Sequence, residues 1–150
     1  MTDETRVRVS VDSRARPERV FGVLTDWPRH REWMPLTRAE VTSGDGRSPG
    51  SHLAAFTGLG PLGFVDTMEI TGWDPPNQVT VRHTGWLVRG TGTFQIVARR
   101  TGGSTIVWEE RLRPPFGAAG RLGWELARPL GEAFFRLALR RLARLSDRPG

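Results

Sequence analysis

The polar and apolar positions change period twice along the chain. Arg6–Asp12 (RVRVSVD) sets Val7, Val9 and Val11 against Arg6, Arg8 and Ser10, the period of a half-buried strand. Asp12 or Ser13 can cap a helix beginning just downstream, and Pro17 suits its first turn. The spacing predicts a short helix over 16–24 that buries Val20, Phe21 and Leu24. A second short helix starts at Asp26-Trp27-Pro28 and runs through Trp33, and Pro35 ends it. From there to Leu112 the period is two. Strands are expected over 38–42, 52–57, 64–73, 79–83, 92–98 and 105–112. The segments between them are turn clusters: SGDGRSPG at 43–50, GLGPLG at 58–63, DPPN at 74–77 and the pair Gly102-Gly103. Successive strands joined by short turns predict an antiparallel meander.

Pro114-Pro115 stops this pattern, and a helical period takes over across about 118–145. In its first half Arg121, Glu125, Arg128, Glu132 and Arg136 share one arc of about 80°. Leu122, Trp124, Leu126, Leu130, Ala133 and Phe134 lie outside that arc. After Pro129 the apolar centre rotates to Phe135, Ala138, Leu139, Leu142 and Leu145. One helix kinked at Pro129 is expected, since an interior proline removes a hydrogen bond and crowds the preceding turn. No internal repeat or long linker divides the chain, so 1–150 reads as a single domain.

Composition narrows the chemistry. There is no cysteine, which excludes disulfides, thiolate catalysis, zinc–thiolate sites and iron–sulfur clusters. No apolar run reaches the ~18–20 residues of a membrane span, and Met1–Glu4 lacks a signal-peptide pattern. A cytoplasmic protein without stable membrane insertion is expected, as a monomer or a homodimer. The net charge is +6, and all 22 basic residues are arginine. Lysine and tyrosine are absent and Asn77 is the sole asparagine, which points to a GC-rich gene rather than to arginine chemistry. Arg136, Arg140 and Arg144 form one helical stripe. Its plain reading is a solvated face and its alternative an anion-binding surface. No aromatics alternate with it as a single-strand binder requires, so no nucleic-acid partner is expected.

Two motif matches fail on mechanism. Gly46-Arg47-Ser48-Pro49-Gly50 has the G-x-S-x-G spacing of hydrolases, but Pro49 has no N–H for an oxyanion hole. Gly58-Leu59-Gly60-Pro61-Leu62-Gly63 has G-x-G-x-x-G spacing, but a strand comes after it and no helix N-terminus can hold a phosphate. His30, His52 and His83 are far apart in sequence, so neither a metal nor another cofactor is expected. His83 shares a face with Val79 and Val81, and Glu110 with Ile106 and Trp108; both therefore point inward, while Glu109 points away. The meander puts one strand between them, leaving their backbones about 10 Å apart. Burial should raise the Glu110 pKa and lower that of His83 unless the two pair. His83 and Glu110 are the candidate acid and base. The alternative is a structural role, with Glu110 paired to Arg82 or Arg111. Asp66 shares the parity of Phe64 and Met68 and is a third candidate.

The order strand, two short helices, six strands, long helix is similar to the helix-grip fold of the START-like (SRPBCC) superfamily. Within it the chain most resembles the polyketide cyclase/dehydrase-like branch. The resemblance is carried by Pro17-Glu18-Arg19-Val20-Phe21, Leu24, Asp26-Trp27 and Trp33. Gly72-Trp73-Asp74-Pro75-Pro76, Gly102–Glu109 (GGSTIVWE) and the terminal helix complete it. It implies an α+β fold: a curved seven-stranded antiparallel sheet wrapped around the long C-terminal helix, with two short helices between strands 1 and 2. It also implies a cavity between sheet and helix for a small hydrophobic or aromatic molecule. Trp33, Phe56, Met68, His83, Phe94, Trp108 and Glu110 are the expected sheet-side contacts, and Trp124, Leu126, Leu130 and Phe134 those from the helix. The large rings of Phe94, Trp108, Trp124 and Phe134 can equally close that cavity. Simple ligand binding and cyclase or dehydratase chemistry with His83 and Glu110 moving a proton are both compatible with the resemblance.

Overall fold

The computed structural model describes residues 4–149, so Met1–Asp3 of the N-terminal Met1–Glu4 stretch lie outside the described residues. Seven strands, β1 (Thr5–Ser13), β2 (Thr37–Ser43), β3 (His52–Leu59), β4 (Leu62–Asp74), β5 (Gln78–Thr84), β6 (Arg89–Ala98) and β7 (Ser104–Leu112), form one antiparallel sheet in the order β1-β7-β6-β5-β4-β3-β2. Between β1 and β2 lie the helix α1 (Pro17–Leu24) and a 3-10 turn over Trp27–Glu32. The chain ends in α2 (Gly117–Asp147), about 46 Å of continuous helix through Pro129. This is the helix-grip architecture. Irregular register between Val41 and Ser43 and between Ile70 and Gly72 bends the sheet.

Three strand ends differ from the sequence expectation by two residues or more. β3 and β4 run on to Leu59 and from Leu62, so the turn is only Gly60-Pro61. β6 begins at Arg89 rather than Gly92. Both extensions are glycine-bearing stretches whose low strand propensity is outweighed by pairing on both sides. At Gly58 and Gly90, Cβ atoms would strike the backbone of the neighbouring strand, and both residues have positive φ. Glycine there is what permits the pairing to continue.

The core lies between the sheet, α1, the 3-10 turn and the second half of α2. Val9, Val20, Leu24, Trp33, Leu53, Ile70, Ile106, Leu139 and Leu142 are all buried in it. A column of rings crosses it: Trp33 meets Phe94 edge-on at 6.1 Å, Phe94 stacks on Trp108 at 4.8 Å, and Trp108 stacks on Phe135 at 4.1 Å. Offset and edge-on aromatic contacts at these spacings add to the burial energy of each ring.

The two halves of α2 are in one rotational phase, and that phase belongs to the second half. Ala138, Leu139, Leu142, Ala143 and Ser146 are buried. The unbroken helix carries this orientation upstream, so that Arg121, Trp124, Arg128, Gly131 and Phe135 are half-buried on the same side. The leucines of the first half consequently face outward. Leu122, Leu126, Leu130 and Leu137 are 64%, 76%, 77% and 42% exposed. The local periodicity of 118–134 pointed its leucines at the sheet. The stronger apolar face of 135–146 overrides it.

Candidate functional site

β6 separates β5 from β7, yet His83 and Glu110 touch. The residues that would stand between them are Gly90 and Gly92, in register with His83 and Leu112 and with Val81 and Glu110, respectively. A Cβ on Gly92 would lie 2.6 Å from Glu110 Oε1. Two glycines thus leave a bare strip across β6, and the Glu110 side chain spans it diagonally. His83 Nε2–H donates to Glu110 Oε2 at 2.9 Å, and Nδ1–H donates to Asp66 Oδ1, also at 2.9 Å. Trp108 Nε1–H donates to Glu110 Oε1 at 2.9 Å. Both imidazole nitrogens are therefore committed, and each Glu110 oxygen accepts one hydrogen bond.

The electrostatics arise from this geometry. Burial alone would lower the His83 pKa; the hydrogen bonds and negative charges of Asp66 and Glu110 outweigh it and raise the value to about 10. His83 is an imidazolium clamped between two carboxylates. The two pair, which is the condition under which an inward histidine escapes that lowering. Neither arginine considered for Glu110 reaches it: Arg82 pairs with Glu69 at 2.8 Å and Arg111 with Glu109 at 2.8 Å, both on the other face of the sheet. His30 is the opposite case. It is buried beside Trp27 and Trp33, its Nδ1 has no partner among the described residues, and desolvation lowers its pKa to about 4. Among the described residues no group of three His, Asp or Glu side chains is arranged to hold a metal ion.

Of the residues expected around a ligand, the structure gathers some and disperses others. Trp33, Phe94 and Trp108 belong to the aromatic column, and Met68 packs against the core. Phe135, one residue on from the expected Phe134, completes the column. Phe56 lies on the outer face of the sheet, under the Arg38 guanidinium at 5.3 Å from its ring centroid. Its inward neighbours are Leu53 and Ala55, so the alternation of β3 excludes it from the interior. Leu126 and Leu130 point away from the sheet because the helix takes the phase of its second half. The middle of the sheet–helix interface, where Trp33 to Phe135 stack, is filled by those rings.

Open space lies instead at one end of that interface. A cavity of about 330 Å³ is bounded by the turn after β5, the chain leading from β7 into α2, and the first turns of α2. Leu87, Val88, Leu112, Pro115, Phe116, Trp124 and Ala127 wall it, with Arg89 and Arg113 as its charged members. Of the expected ligand contacts only Trp124 lines it. Gly120 lets α2 come close to the Pro115 carbonyl, a contact that any side chain would block. Gly123 faces open space. Leu112 shares the inward parity of Glu110 and sits one register row from it, beside Gly90 and His83. The ion triad thus adjoins the inner wall. The wall residues of 113–116 fall in a Pro-Pro loop where no periodicity marks a facing side, so the sequence offered no signal for them.

The architecture has close structural relatives. The protein TTHA0849 of Thermus thermophilus matches with a TM-score of 0.79 at 17% identity, over 95% of this chain and 97% of that one. The Zhui aromatase/cyclase of Streptomyces matches with 0.79 at 14% identity, over 97% and 94%. Norcoclaurine synthase of Thalictrum flavum matches with 0.68 at 13% identity, over 95% and 94%. At these identities the likeness is one of fold. No curated protein matches the sequence. The family pattern described as polyketide cyclase/dehydrase and lipid transport, in contrast, matches the sequence itself over residues 4–147, and by that match the chain belongs to this family.

Proposed function

We propose that the protein binds a small apolar or aromatic molecule in the cavity between the β5–β6 turn, the Pro114-Pro115 segment and the first half of α2. The observation that carries this reading is the cavity itself. It is concave and carbon-lined, and at about 330 Å³ its size falls in the ~300–1,000 Å³ range of small-molecule sites. Trp124 and Phe116 offer ring faces to an aromatic guest, and Arg89 and Arg113 offer charge to a polar substituent at the rim. Aromatic polyketide-like compounds are the class to test first, given that one structural relative is an aromatase/cyclase.

The state of His83 supports binding over proton transfer. A general base needs a free lone pair near the operating pH. With a pKa of about 10, His83 holds both protons at neutral pH. The neutral form is then strongly disfavoured at pH 7. Both N–H groups are also occupied. A clamped imidazolium serves as a rigid buried brace beneath the cavity wall.

The test is titration with N-phenyl-1-naphthylamine, a neutral aromatic probe that fluoresces in apolar surroundings. The wild type is expected to bind it saturably. Gly123→Trp adds an indole at a lining position where a Cβ meets no atom within 4 Å, so as to occupy the cavity. Probe affinity should fall at least about tenfold with an unchanged or raised melting temperature, since glycine is a poor helix former. Equal binding by the folded variant would remove the cavity from the site.

A further inference from the structure

The outward face of α2 is apolar for about four turns and then basic. Leu122, Leu126, Leu130 and Leu137 line one side of the helix, away from the sheet, and all four are exposed, Leu137 the least. The same face continues into exposed Arg140 and Arg144, flanked by exposed Arg136 and Arg141. The apolar strip does not stop at the helix. Gly123, which lines the cavity, lies beside it, and Phe116 and Leu87 wall the same cavity, with Trp86 next to Leu87 in the chain. Phe116 is 75% and Trp86 71% exposed. The cavity therefore adjoins the apolar strip through Gly123, and Arg89 and Arg113 stand among its lining.

We infer that this surface docks on an anionic phospholipid membrane, with α2 lying in the interface and the cavity mouth against the lipid. This rests on the proposed binding of an apolar guest and adds where the guest comes from. An apolar helix face with arginines beside it, aromatic side chains at its border and a net positive chain are the features that hold a helix in a headgroup layer. Contact is peripheral: among the described residues no helix is long and apolar enough to cross a bilayer. The charges argue against a second copy of the chain as the occupant. The first turn of α2 has no acidic residue, so a fully overlapped antiparallel copy would set Arg144 against a turn without counter-charge. A parallel copy would set arginine against arginine.

The experiment is co-sedimentation of the full chain with phosphatidylcholine vesicles, with and without phosphatidylglycerol. Probe titration and gel filtration are run on the same samples. Binding to the anionic vesicles at low salt is expected, weaker on phosphatidylcholine alone and weakened by high salt. Leu126→Asp/Leu130→Asp should lower vesicle binding at least about tenfold, and Arg140→Glu/Arg144→Glu should abolish the preference for anionic lipid. Both variants change exposed positions and should keep the wild-type melting temperature and probe affinity in solution. No vesicle binding at low salt, or equal binding by the folded variants, would overturn the inference while leaving the cavity reading intact. A wild-type dimer that Leu126→Asp/Leu130→Asp converts to a monomer, with no vesicle binding, would assign the face to self-association instead. Vesicle binding by a wild type that does not bind the probe would sink the cavity reading and not the docking.

Discussion

His83 and His30 make opposite contributions to stability as pH changes. The folded pKa of His83, about 10, lies above its ordinary value of 6.5. Its contribution is complete below pH 6.5 and is lost as pH rises toward 10. The folded pKa of His30, about 4, lies below 6.5. Its burial as a neutral ring is compatible with full stability above pH 6.5, and stability is lost as pH falls toward 4. The contributions of these two residues are thus jointly greatest near pH 6.5. Chemical denaturation across pH should show His83→Gln flattening the alkaline limb and His30→Phe flattening the acid limb. His83→Gln also removes the cation between Asp66 and Glu110, so a loss of roughly 3–5 kcal/mol is expected at neutral pH. An alkaline limb unchanged in the folded His83→Gln variant would mean that the imidazolium is not clamped as described.

At the scale of the element, β6 decides whether the triad can exist. Its inward positions alternate Gly90, Gly92, Phe94 and Ile96: nothing, nothing, ring, branched chain. The bare half admits the Glu110 carboxylate and the full half supports Trp33 and Trp108. Gly92→Ala puts a methyl group into the carboxylate's place. Destabilisation of roughly 1–3 kcal/mol is expected, with the His83 ring resonances titrating at lower pH by NMR as Glu110 is displaced. Resonances that titrate as in the wild type would show that Glu110 does not need the gap. The inward parity of His83 and Glu110 was readable from alternation alone. Their contact was not, because it depends on what β6 lacks, and an absent side chain has no period. In α2 the sequence is misleading for a related reason. A leucine-rich window looks like a buried face wherever it occurs, but a rod has one phase. That phase was decided in the second half of the helix, where Ala138, Leu139 and Leu142 meet the core.

For the molecule as a whole, the helix-grip fold was legible because it is written redundantly. Seven alternating segments, turn residues between them and one long helical window admit few other arrangements. The site was less legible because it depends on how the packed pieces leave space. Rings expected to shape a central cavity stack on one another instead, from Trp33 to Phe135. Space remains where α2 pulls away from the sheet and a Pro-Pro loop bridges the difference. A groove open to solvent avoids the penalty of a dry void, about 24 cal/mol for each Å³, so it can stand ready without costing the fold its stability.

Native mass spectrometry of freshly purified, undenatured protein measures occupancy of that space without any choice of probe. A folded population carrying an added small-molecule mass is expected, shed at raised collision energy and displaced by an aromatic competitor in the wild type. Protein that emerges solely at its bare mass, and stays so after incubation with a panel of aromatic and acyl compounds, would contradict a binding function for this fold.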